Sequence, residues 1–260
     1  MQDAPPLLVF TDLDGTLIDH DTYEWAAARP ALDALSRVSA GVVLASSKTA
    51  PEVSALRAQL QLGAWPAIIE NGAGVVPAHT HATPDPDAYQ QIRAALREIP
   101  DALRQHFTGF GDLRPAEIEK LTGLSAKAAA QARERAFSEP GLWGGDDAAL
   151  VEFKAALRAF GISTREGGRF LTLSHGKNKS DQMARIINHY KPRHTIALGD
   201  APNDVEMLET ADFGIVIPNP KGRRLPELKG EAQGHIIRAQ QAGPVGWNTA
   251  ILGLLERLDL

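Results

Sequence analysis

The chain has 260 residues, 43% of them hydrophobic and 23% charged, with a formal net charge of -5. That size accommodates one large domain or a core with an inserted second one, and the composition excludes a disordered polymer. No dense Lys/Arg run supplies the positive face that nucleic-acid phosphates require, and the absence of cysteine excludes disulfides and thiolate metal sites.

Along the chain, the first residues carry no positive leader and no apolar run reaches membrane-spanning length. We therefore expect a cytoplasmic protein with neither a membrane nor a nucleic-acid partner. Residues 7–10, Leu-Leu-Val-Phe, form a short apolar run that breaks into a polar, Gly-containing turn. This is the pattern of a buried parallel strand delivering Asp12 at its C-terminal end, where ligands bind in open α/β sheets. Residues 41–45 run into Ser46-Ser47-Lys48-Thr49, and residues 195–198 into Gly199-Asp200, in the same way. Helical spacing over 29–38, 51–60 and 179–190 separates them, so the order reads as repeated βα units.

The middle differs. Residues 77–86, rich in Pro, His and Thr, read as a linker, followed by amphipathic helices over 90–99, 115–121, 125–137 and 146–160. This predicts an inserted domain. Residues 169–173 then read as a strand leading back to the core.

The chemistry concentrates at strand ends. Asp12-Leu13-Asp14-Gly15-Thr16 places two carboxylates two residues apart after an apolar strand, able to face one pocket in which Mg²⁺ neutralises a phosphate. Gly199-Asp200-Ala201-Pro202-Asn203-Asp204 is a second acidic cluster in the same context, and Asp12, Asp200 and Asp204 together suit a hard divalent ion. Mg²⁺ is the expected cofactor, with Mn²⁺ and Co²⁺ as alternatives. Ser46 at a strand tip and Lys179 at a helix start could fix phosphate oxygens. Lys177 is the alternative lysine.

In order and context these four segments resemble the four motifs of the haloacid dehalogenase (HAD) superfamily of phosphatases. The resemblance implies an α/β fold with a Rossmann-like parallel-sheet core, residues 1–77 and 173–260. It also implies an inserted α+β cap of the second type (C2B-like), residues 78–172, governing specificity. It further implies that Asp12 is the nucleophile and Asp14 the acid and base, and that Ser46 and Lys179 bind phosphate. Asp12, the Asp14 carbonyl, Asp200 and Asp204 would form the metal site. The partner is then a small phosphorylated sugar. Residues 46–49, 69–73, 168–170 and 243–247 resemble one branch of that family, whose substrate also carries a glycerate carboxylate. On that basis Gly167, Gly168 and Arg169 are candidates for the carboxylate, because glycines admit a ligand close to the backbone and a guanidinium pairs with it. Glu70 and Asn71 are candidates for sugar hydroxyls.

Overall fold

The computed structural model describes residues 4–80, 84–167, 169–222 and 224–260. The chain opens with β1 (Leu7–Thr11), α1 (Arg29–Arg37), β2 (Gly41–Ala45), α2 (Ala50–Gln59), β3 (Ala67–Ile69) and β4 (Gly74–Val76). The middle comprises α3 (Asp87–Glu98), α4 (Asp101–Arg104), β5 (Phe107–Gly109), α5 (Pro115–Thr122), α6 (Ala126–Arg133), β6 (Ser138–Trp143), α7 (Asp147–Arg158), β7 (Ser163–Gly167) and β8 (Phe170–Ser174). It closes with α8 (Lys179–Tyr190), β9 (His194–Gly199), α9 (Val205–Thr210), β10 (Phe213–Val216), β11 (Ile236–Arg238) and α10 (Gly243–Arg257).

The first and last groups build one sheet in the order β11-β10-β9-β1-β2-β3-β4, parallel except for β4. Side chains alternate along β1, so Leu7 and Val9 enter one apolar layer with Leu44, Leu35 and Trp247. Leu8 and Phe10 enter the opposite layer with Val43, Met183 and Met207. Both faces are covered, which is why the strand reads as an unbroken apolar run rather than an alternating one. β1, β2 and β9 run side by side in register, so their C-terminal ends share one edge.

The middle group builds an antiparallel sheet in the order β5-β6-β8-β7. Ile92 and Leu96 of α3 and Phe153 and Leu157 of α7 pack with Phe107, Leu171 and Leu173. Phe110, Ile118, Ala129 and Ala132 form a smaller cluster with α5 and α6. The strand expected near 169–173 is β8, which lies between β6 and β7 and leads the chain on to α8. One expectation is corrected here. The helix expected over 125–137 ends at Arg133, because the backbone N–H groups of Ala136 and Phe137 are taken by the Glu70 carboxylate rather than by helical carbonyls. The stretch read as a linker is held at its start, where buried Arg57 donates to the carbonyls of Trp65 (3.1 Å), Pro77 (3.0 Å) and Thr80.

Candidate active site

The end of β1 becomes a reactive turn because its backbone is satisfied locally. The Asp12 N–H donates to Leu198 on β9 (2.9 Å), and the N–H groups of Thr16 and Ile18 both donate to the Leu13 carbonyl. Gly15 sits at φ +83°, in the left-handed region, and a Cβ there would lie 3.0 Å from Asp200 Oδ2. Glycine is required twice over, for the backbone angle and for the approach of the second acidic cluster.

Four charged groups then meet in near-complete burial. Lys179 Nζ lies 2.5 Å from Asp12 Oδ1 and 2.7 Å from Asp204 Oδ1, and its side chain is 1% exposed. Lys177 is exposed, so of the two lysines only Lys179 joins this group. The Asn178 cap starts α8 and leaves Lys179 as its first residue, aimed at the sheet edge. Asp204 Oδ2 accepts from the N–H groups of Asp200 (3.2 Å) and Ala201 (3.1 Å). Asp200 accepts from the Thr16 hydroxyl (3.1 Å) on Oδ1 and from the Asn219 amide (2.6 Å) on Oδ2.

Three carboxylates face one ammonium, and that imbalance bears on Asp12 and Asp200. Burial, reinforced by Asp204 and Asp200, pushes Asp12 well above the ordinary carboxylate range despite Lys179. Burial and the Asp204 charge also raise Asp200. Burial alone would lower Lys179, but Asp12 and Asp204 hold its ammonium above the usual value. Asp12, Asp200 and Asp204 offer oxygen atoms all within 4.8 Å of one another, the one such group among the described residues. A buried excess of negative charge on hard oxygen donors fits a divalent cation such as Mg²⁺. Because Asp204 already serves Lys179 and two backbone donors, it is better placed to brace the site than to coordinate directly.

Asp14 turns away from this cluster. Its Oδ1 lies 3.0 Å from Lys48 Nζ, and the carboxylate remains 28% exposed. Burial would lower Lys48, but Asp14 and Glu52 raise it. The ammonium also stands 5.1 Å from the ring centre of exposed Tyr23. Ser46 is buried beside Asp12's strand at the tip of β2, and its Oγ accepts the Lys48 N–H (3.1 Å). Two carboxylates two residues apart thus occupy different environments, Asp12 buried against Lys179 and Asp14 open beside Lys48.

The remaining candidates divide. Glu70 is 2% exposed, and its carboxylate accepts from Ala136 N–H (2.9 Å), Phe137 N–H (3.2 Å) and Ser138 Oγ (2.6 Å). These bonds link the turn after β3 to the chain entering β6. Asn71 lies in the same tight turn at φ +58° and accepts from the Asn203 amide (3.0 Å), which ties that turn to the second acidic loop. Gly167 ends β7, and Gly168 lies outside the described residues. Arg169 is exposed in the turn between β7 and β8, with its guanidinium 5.2 Å from the Phe170 ring centre. Trp247, at the end of the 243–247 segment, donates its indole N–H to Thr11 Oγ1 (3.0 Å), while Lys48, Thr16 and Asn219 were not picked out individually from the sequence. Lys48 was the one with a signal, lying two residues beyond a candidate phosphate ligand.

A doubly covered parallel sheet with acidic strand tips, closed by a buried Lys on an Asp cluster and interrupted by a second sheet, defines a capped α/β hydrolase. The profile of the haloacid dehalogenase-like hydrolases matches residues 7–212, and the chain belongs to that family. A glucosyl-3-phosphoglycerate/mannosyl-3-phosphoglycerate phosphatase of Methanococcoides burtonii is 32% identical over 96% of this chain and 97% of its own. The sucrose-phosphatase of Synechocystis sp. PCC6803 superposes with a TM-score of 0.61 at 15% identity, covering 98% of each chain. A haloacid dehalogenase-like hydrolase of Bacteroides thetaiotaomicron gives 0.63 at 18%, over 95% of this chain and 98% of that one. At those identities the structural likeness concerns the fold.

Proposed function

We propose that the protein is a phosphatase that hydrolyses mannosyl-3-phosphoglycerate to mannosylglycerate, a compatible solute, and inorganic phosphate in the cytoplasm. The observation that carries the phosphatase reading is the buried Asp12–Lys179–Asp204 group with Asp14 held apart on Lys48. The substrate reading rests on the Methanococcoides relative. That relative's name covers the glucosyl ester equally, so glucosyl-3-phosphoglycerate is the second reading.

In the mechanism, an Asp12 carboxylate oxygen attacks phosphorus and the ester bond breaks, giving a phosphoaspartate. Asp14, within reach of solvent, gives a proton to the departing glycerate oxygen and then takes one from the water that attacks the phosphoaspartate. Lys48 fixes Asp14's orientation through the 3.0 Å ion pair. Lys179 holds Asp12 in place and, with Ser46, offers donors to the phosphate oxygens. Bound Mg²⁺, or Mn²⁺ or Co²⁺, held by Asp12, Asp200 and the Asp14 carbonyl with Asp204 beside them, would supply positive charge against the phosphate dianion. Residues 78–172 act as the specificity cap.

Phosphate release across a panel of sugar-phosphate esters with Mg²⁺ tests this. Preference for the mannosyl or glucosyl phosphoglycerate is expected. Preference for sucrose phosphate would remove the substrate assignment, and an isomerised sugar phosphate without free phosphate would indicate a mutase.

A further inference from the structure

We propose that Arg135 is the specificity-determining residue that binds the carboxylate of the leaving group; this rests on the phosphoglycerate-ester reading above. The argument begins with how the chain between α6 and β6 is fixed. Before Arg135, the Thr49 hydroxyl donates to the Gln131 carbonyl (3.0 Å). After it, Glu70 accepts from Ala136, Phe137 and Ser138. Both fasteners come from the loops that follow β2 and β3 on the core sheet, so this short cap segment is registered against the phosphate-binding edge.

The guanidinium itself is held at two points. Its Nε–H donates to the Ala132 carbonyl (2.9 Å) and its Nη1 to the Ser47 carbonyl (2.9 Å). Ser47 lies between Ser46, the candidate phosphate ligand, and Lys48, the partner of Asp14. Arg135 is therefore bonded to the residue that separates Ser46 from Lys48. Its Nη2 has no protein acceptor among the described residues. A guanidinium with two positions satisfied by carbonyls and a free edge is preorganised for an oxyanion, because little side-chain freedom remains to be lost on binding.

Arg169, the cation expected from the sequence, connects to the same place through aromatic rings. Arg135 lies 5.8 Å from the Phe110 ring centre, Phe110 meets Phe170 edge-on at 5.3 Å, and Arg169 lies 5.2 Å from Phe170. Of the two, Arg135 alone is hydrogen-bonded to a core loop among the described residues, while Arg169 is exposed on its hairpin. The geometry gives the near position to Arg135. The chemical class it selects is a phosphate ester whose leaving group carries a carboxylate close to the ester oxygen.

The test compares kcat/KM for 3-phosphoglycerate-type sugar esters with kcat/KM for an aryl phosphate lacking a carboxylate, in the wild-type chain, Arg135→Gln and Arg135→Lys. The expected result is a 10- to 100-fold fall in the ratio for Arg135→Gln, carried by KM, with Arg135→Lys intermediate because an ammonium keeps charge but not the fork. An equal fall for both substrates in both variants would make Arg135 structural and overturn the proposal, as would an unchanged ratio. A wild-type chain indifferent to the carboxylate would refute the substrate reading and this inference with it. A wild-type preference that survives in both variants would refute the inference alone.

Discussion

Replacing Glu70 with Gln separates two roles for a residue that the sequence offers as a substrate ligand and the structure places in a brace. The carboxylate accepts three hydrogen bonds, one on Oε1 and two on Oε2. An amide keeps a single acceptor oxygen. If that oxygen takes the Oε2 position, the Ala136 N–H faces an NH₂ group and its bond is lost, while the other two become neutral. A hydrogen bond to a charged group contributes about 1.5–3 kcal/mol, and a stranded buried donor costs about 1–3 kcal/mol. The net loss is about 3 kcal/mol, which for a chain of this size lowers Tm by roughly 6–12 °C. Calorimetry measures the shift, and amide exchange should accelerate selectively at Ala136 and Phe137. A Glu70→Gln protein with unchanged Tm and protection but a raised KM would refute the brace and restore the hydroxyl-binding role.

Further outcomes follow from the same geometry. Asp12→Asn should abolish turnover while substrate still binds, as read by calorimetric titration; retained turnover would remove the nucleophile. Lys48→Met leaves Asp14 without its 3.0 Å partner, so kcat should fall by roughly 100-fold, the low end of what a positioned acid–base group contributes, with metal affinity retained. Gly15→Ala forces a side chain to φ +83° and against Asp200, which should cost about 1–2 kcal/mol and weaken Mg²⁺ binding measured by titration. Burial would raise Asp112, but Arg93, the Gly109 N–H and Arg104 hold it below the usual carboxylate range. Its contribution is therefore present above about pH 4 and lost as pH falls through the lowered value. Tm should drop less steeply on acidification in Asp112→Asn than in the wild-type chain.

What could be read from the sequence was whatever is local in the chain. β1, β2 and β9 announce themselves because apolar runs of strand length end in Asp or Ser, and α8 runs over the expected residues because Asn178 and Asp181 form a complete cap. Asp12, Asp200, Asp204 and Lys179 follow from those strand and helix ends, and the structure brings them together. Features set by distant partners were not legible. The end of α6 depends on Glu70, far earlier in the chain, and nothing within the Ala-rich stretch signals it. β6 contains Pro140 and Gly141, which local propensity places outside a strand, yet it pairs with both β5 and β8. Arg169 was legible both as a carboxylate-binding cation and as a solvated residue of a hairpin turn, and Arg135 lay inside what read as a continuous solvated helix.

The most direct test of the account is acid quenching during turnover of mannosyl-3-phosphoglycerate, followed by peptide mapping of the trapped protein. A phosphoryl group on the peptide containing Asp12, sensitive to hydroxylamine and absent in Asp12→Asn, is the predicted result. Inorganic phosphate released with no covalent phosphoryl group on that peptide at any quench time would contradict it.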